Sequence, residues 1–77
     1  MTYYRFNYNK LRGRIRETGL TQEEVAKQIN VNPTTLSLKL NNASEFTQSE
    51  IRSICDLLDI SGRDLSDYFF YPSGLEN

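Results

Sequence analysis

The sequence contains no histidine and one cysteine, Cys55. Structural and catalytic zinc sites are built from several Cys, His and carboxylate ligands, and thiol catalysis needs an activated cysteine. Neither chemistry has support, and no metal or cofactor is expected. One cysteine cannot close an internal disulfide, so a reducing cytoplasm is the default compartment. No glycine-rich phosphate loop is present. No apolar run approaches the roughly 20 residues needed to span a bilayer, and the opening MTYYRFNYNK lacks the apolar stretch of a secretion signal. There is no internal repeat, low-complexity run or interdomain linker. The expectation is a binding protein with no enzymatic activity, no membrane and no small-molecule substrate.

What is present fits one small domain spanning residues 1–77, with 72–77 expected as a loose polar tail. A chain of 77 residues buries only about 60% of its unfolded surface, enough for one compact core. The net charge is −1, but its distribution is uneven. Residues 1–20 carry Arg5, Lys10, Arg12, Arg14 and Arg16 against Glu17, a local +4. Residues 45–77 carry Arg52 and Arg63 against seven acids, a local −5.

Apolar spacing predicts an all-α fold of four to five short helices. Tyr8, Leu11 and Ile15 make one stripe over about residues 8–18, with Asn7 as a possible cap, Gly19 as a left-handed stop, and close packing expected at Gly13. Thr21 with Glu24 has the spacing of a capping box, and Val25, Ala26 and Ile29 form the buried stripe behind it. Asn30 tolerates the left-handed conformation that ends a helix. Thr47 with Glu50 gives a second box, ahead of Ile51, Ile54, Cys55 and Leu58, with Cys55 expected in the core. Ser61 with Asp64 gives a third, ahead of Leu65 and Phe69. No stretch alternates with period two for long. The aromatic ends YYRFNY and DYFFYP are the only places for a short strand. Tyr3, Tyr4 and Phe6 either pack on the C-terminal aromatics or leave Phe70 or Tyr71, with Leu57, for a two-fold interface.

The stretch NPTTLSLKLNN, residues 32–42, is the unusual one. Asn32 can cap and Pro33 suits the first helical position. Leu36 and Leu40 share one face. The opposite face offers Thr34, Leu38 and Asn41, flanked by Thr35 and Ser37. The three boxes carry Glu24, Glu50 and Asp64 three residues after their caps, where an acid favours the helix dipole. This helix carries Thr35 there, which makes sense if its start must approach a polyanion. Two short helices joined by residues 30–32 form a helix-turn-helix at about residues 21–41. Hydroxyls, a leucine and threonine methyls suit base edges in a major groove, so Thr34, Thr35, Ser37 and Leu38 are the candidate base contacts. Lys39 and Asn42 lie toward the groove rim. Asn41 can pair with adenine or hold a phosphate, and is a candidate phosphate contact. One or two of the basic residues of the first helix are expected on phosphates, with Arg14 the candidate.

Residues 19–42, GLTQEEVAKQINVNPTTLSLKLNN, resemble the helix-turn-helix of the lambda-repressor-like (Cro and repressor) family. Residues 6–71 resemble its short phage repressors from Gram-positive hosts, with TLSLKLNN and YFF the nearest stretches. The resemblance implies a compact five-helix domain whose third helix enters the major groove, inside a bacterium or phage-infected host. It implies base-reading positions at Pro33, Thr34, Ser37 and Leu38, and a phosphate contact at Gln22. Pro33 departs from the pattern, having neither an amide hydrogen nor a polar side chain. Asn30 departs from the usual glycine. A homodimer on a palindromic double-stranded operator is implied. The alternative is a protein-interaction module that keeps the scaffold, which the acidic C-terminal half favours.

Overall fold

The structure, a computed structural model, describes residues 5–73. Five α-helices follow in order: α1 (Asn9–Glu17), α2 (Gln22–Gln28), α3 (Pro33–Leu40), α4 (Gln48–Leu58) and α5 (Leu65–Phe69). A single 3₁₀ turn, Gly62–Asp64, precedes α5. Among the described residues there is no strand, only an isolated antiparallel bridge between Phe6 and Pro72. No helix of the described residues is long and apolar enough to cross a membrane.

Each helix is too short to persist alone in water, so packing must hold them. Leu11 and Ile15 of α1, Val25 and Ala26 of α2, Leu36 and Leu40 of α3, Ile54 and Leu58 of α4, and Phe69 of α5 converge on one core. Ala26 is fully buried, and its small side chain lets α2 and α3 approach closely. Half-buried Val31 sits in the turn between them and packs against that core. Tyr8, Phe46 and Phe69 interlock edge to face, with ring centroids 5.4 and 5.5 Å apart.

The ends of the helices show why they stop. Thr21 and Thr47 both close full capping boxes with Glu24 and Glu50. The Thr21 bonds hold the Glu24 carboxyl below the ordinary carboxylate range. At the other end, α2, α3 and α4 share one device. Asn30, Asn42 and Asp59 adopt left-handed backbone, with φ of 62°, 65° and 56°. The next residue then donates five residues back: Val31 to Ala26, Ala43 to Leu38 and Ile60 to Cys55, at 2.8–2.9 Å. Gly19, at φ 80°, ends α1 as expected.

Several expectations need correction. Ser61 caps the 3₁₀ turn through the Arg63 amide and forms no box with Asp64. Asn7 does not cap α1 directly; its Oδ1 accepts from the Asn9 amide while Tyr8 holds the cap position. Nothing packs where a side chain on Gly13 would sit. Cys55 is half-buried at the margin of the core, and burial, then the Asp56 charge, push its thiol pKa up. Pro72 and Ser73 are not loose: Asn7 donates to the Tyr71 carbonyl at 2.8 Å and Ser73 donates to the Arg5 carbonyl at 2.9 Å. Phe6 packs edge to face on Phe70, at 5.6 Å, so at least one N-terminal aromatic is used within the chain. Tyr3, Tyr4 and residues 74–77 lie outside the described residues.

Candidate nucleic-acid interface

The surface begins with how α3 is mounted. Leu36 and Leu40 are buried to 1% and 3% exposure, which fixes the rotation of the helix. Asn32 Oδ1 accepts from the Thr34 amide at 2.8 Å and caps the start. The opposite face is therefore turned outward. Thr34, Leu38 and Asn41 are exposed along it, and Thr35 and Ser37 are half-buried at its flanks. Leu38 is 48% exposed, high for a large apolar side chain. The structure brings the candidate base contacts together on one face, with Leu38 at its centre.

The candidate phosphate contacts divide. Gln22 is half-buried on the wall of a cleft between α1 and the start of α2. Asn41 is exposed at the end of α3, its Oδ1 accepting from Arg12 Nη2 at 3.0 Å. The other three are spent inside the chain. Lys39 is buried, and its ammonium pairs with the Glu50 carboxylate. Burial opposes the charge on Glu50, but the Lys39 bond and charge, with the Thr47 bonds, outweigh it and lower its pKa. Asn42 clasps the N-terminal segment: Nδ2 donates to the Phe6 carbonyl at 2.8 Å and Oδ1 accepts from the Phe6 amide at 2.9 Å. Arg14 turns toward α4, with Nε donating to the Leu58 carbonyl at 2.9 Å and Nη1 to Glu17 at 3.3 Å. Lys39, Asn42 and Arg14 thus hold the scaffold and are withdrawn as phosphate contacts.

Arg12 was not singled out from the sequence, yet it touches α3. Its Nη2 donates to the Leu40 carbonyl at 2.9 Å as well as to Asn41. A guanidinium at a helix C-terminus satisfies orphan carbonyls and meets the negative end of the dipole. The spacing contained the signal: Arg12 and Arg16 each follow a core residue of α1, Leu11 and Ile15. Lys10 and Arg14 each precede one. The four cations therefore flank the buried stripe in two pairs.

Charge around α3 is uneven. A groove beside its start is lined by Glu23, Glu24 and Lys27 with Pro33. Its end has Arg12. Among the described residues, no group of three or more His, Cys, Asp or Glu is placed to hold a metal ion.

No curated protein sequence matches the chain. Among solved structures, the chain is similar to the solution structure of the modulator of repression (MOR) of the temperate bacteriophage TP901-1 from Lactococcus lactis. The two share 32% identity and superpose with a TM-score of 0.73, over 84% of this chain and 88% of that one. Residues 4–72 match the family described as a protein of unknown function, DUF739, so nearly the whole chain is accounted for and belongs to that family.

Proposed function

We propose that this protein is a phage or prophage transcription regulator that binds duplex DNA through α3. The likeness to a phage modulator of repression supports a phage regulatory role. The observation that carries the finer reading is the outward face of α3. Thr34, Leu38 and Asn41 stand open on a helix locked to the core by Leu36 and Leu40. Its first turn holds no acid. In this reading α2 and α3 act as a helix-turn-helix of the lambda-repressor-like kind. Thr34, Thr35, Ser37 and Leu38 meet base edges, while Gln22 and Asn41 meet phosphates. The chain acts by occupancy, covering an operator and excluding polymerase, without catalysis. Two copies on a palindrome would set their α3 helices about 34 Å apart, one DNA turn. Phe70 and Tyr71, 47% and 42% exposed although Phe70 also meets Phe6, are candidates for that pairing.

A second reading has its own support. Lys39, Asn42 and Arg14 are consumed within the chain, and an open Leu38 suits an apolar partner. In that reading the same face of α3 docks a protein. Thr34→Glu tests the first reading. It places a carboxylate on the exposed face without touching the core. Duplex binding should be lost at equal or higher thermal stability, since an acid in the first turn favours the helix dipole; retained binding would take Thr34 out of the groove.

A further inference from the structure

The four cations of α1 are not equivalent. Lys10 is 3.9 Å from Asp67 and lies over the Tyr68 ring. Arg14 is bound to Glu17 and the Leu58 carbonyl. Lys10 is thus paired with α5, and Arg14 with Glu17 of α1 itself while it also meets the last carbonyl of α4. Arg12 and Arg16 lie on the other flank, one helical turn apart, and among the described residues neither meets a carboxylate. Both line an open cleft of about 320 Å³, with Ile15, Leu20, Thr21 and Gln22 completing it. That lining contains no acid.

We propose that Arg12, Arg16 and Gln22 form a seat for one phosphate of the duplex backbone, next to the end of α3. The assignment rests on the DNA-binding reading above. A guanidinium carries five N–H donors. Arg12 directs Nη2 at Leu40 and Asn41, which fixes its plane and leaves Nε and Nη1 for a second partner. Arg16 is exposed and brings a second fork, suited to bidentate phosphate oxygens. The Gln22 amide adds a neutral donor. Because Arg12 also holds the last carbonyl of α3, a phosphate in the seat is held in fixed register with the base-reading face.

Two measurements on the full chain test the seat. In the first, inorganic phosphate is titrated at low ionic strength while NMR follows the side-chain N–H signals of Arg12, Arg16, Gln22 and Arg63. Arg63 is exposed on the turn before α5. Saturable shifts are expected at Arg12, Arg16 and Gln22, absent at Arg63 and abolished by Arg16→Gln. No shift at the cleft, or an equal one at Arg63, overturns the seat whether or not duplex binds. In the second, duplex affinity is followed from about 50 to about 200 mM salt for the natural chain, Arg16→Gln and Arg63→Gln. Each neutralised phosphate adds about 0.9 to the log–log slope, so over this range Arg16→Gln should lose about 3.5-fold less affinity than the natural chain. Equal slopes in all three overturn the duplex occupant. Phosphate capture without any duplex binding refutes the DNA reading and upholds the seat alone.

Discussion

The Lys39–Glu50 pair offers the sharpest test of how α3 is held. Lys39→Met removes the ammonium but keeps the volume and the apolar stem. It strands Glu50, whose side chain is only 16% exposed. Breaking a buried pair costs about 3–5 kcal/mol when one charge is left uncompensated. The carboxylate here keeps the Thr47 amide and lies near the surface of a small protein, so solvent screens it in part. About 2 kcal/mol is the expected loss, a drop of about 8–16 °C in Tm for a domain this size. Glu50→Gln retains the capping box, since glutamine serves at that position, but strands Lys39. The double variant Lys39→Met with Glu50→Gln leaves no buried charge. It should cost at least about 1 kcal/mol less than the two single losses combined. Urea unfolding at constant m-value measures all four corners of the cycle. Additivity within about 0.5 kcal/mol would refute the pairing. Acid titration provides a cross-check. The folded pKa of Glu50 lies below its ordinary value of 4.5. The unfolded chain then binds the proton first, so the pair's stabilisation is complete above that value and lost as pH falls through the folded pKa. Glu50→Gln should flatten this part of the acid limb.

Three further outcomes are expected. Arg12→Lys should cost about 1.5–3 kcal/mol in urea unfolding, because an ammonium lacks the fork that meets Leu40 and Asn41 together; an unchanged midpoint would remove Arg12 as the clamp on α3. Asn42→Ala loses both the clasp on Phe6 and an easy left-handed backbone, whereas Asn42→Gly keeps the backbone. The alanine variant should be the less stable by about 1 kcal/mol in thermal unfolding, and equal stabilities would count against the left-handed cap. Leu38→Lys separates the two functional readings. A duplex-binding face gains a cation, and its general DNA affinity and salt slope rise. A protein-docking face loses its apolar centre, and partner capture falls.

The helices were legible because periodicity and capping agreed. Leu11 with Ile15, Val25 with Ala26, and Leu36 with Leu40 each pointed one face inward, and Thr21 and Thr47 marked starts to within a residue. The left-handed stop at Asn30 was also readable from residue type. The phosphate contacts were less so, because a cation's partner is a tertiary fact. Nothing local tells Lys39 that Glu50 lies beside it, eleven positions on. Asn42 looked like a groove residue because its clasp lies on Phe6, 36 positions away. The two-sided sorting of Lys10 and Arg14 against Arg12 and Arg16 was implicit in the 100° step. Which flank α3 would occupy was not. Phe70 and Tyr71 stayed ambiguous because the chain closes its N-terminal segment on the C-terminal one, a contact with no periodic signature.

The central claim is that the open face of α3 meets duplex DNA. Its most direct test is retention of the natural chain on duplex from the region flanking its own coding sequence, followed across a salt series with footprinting. The account predicts steep loss of binding with salt and paired protected sites about one helical turn apart. No retention at low salt, or binding indifferent to salt, would contradict it.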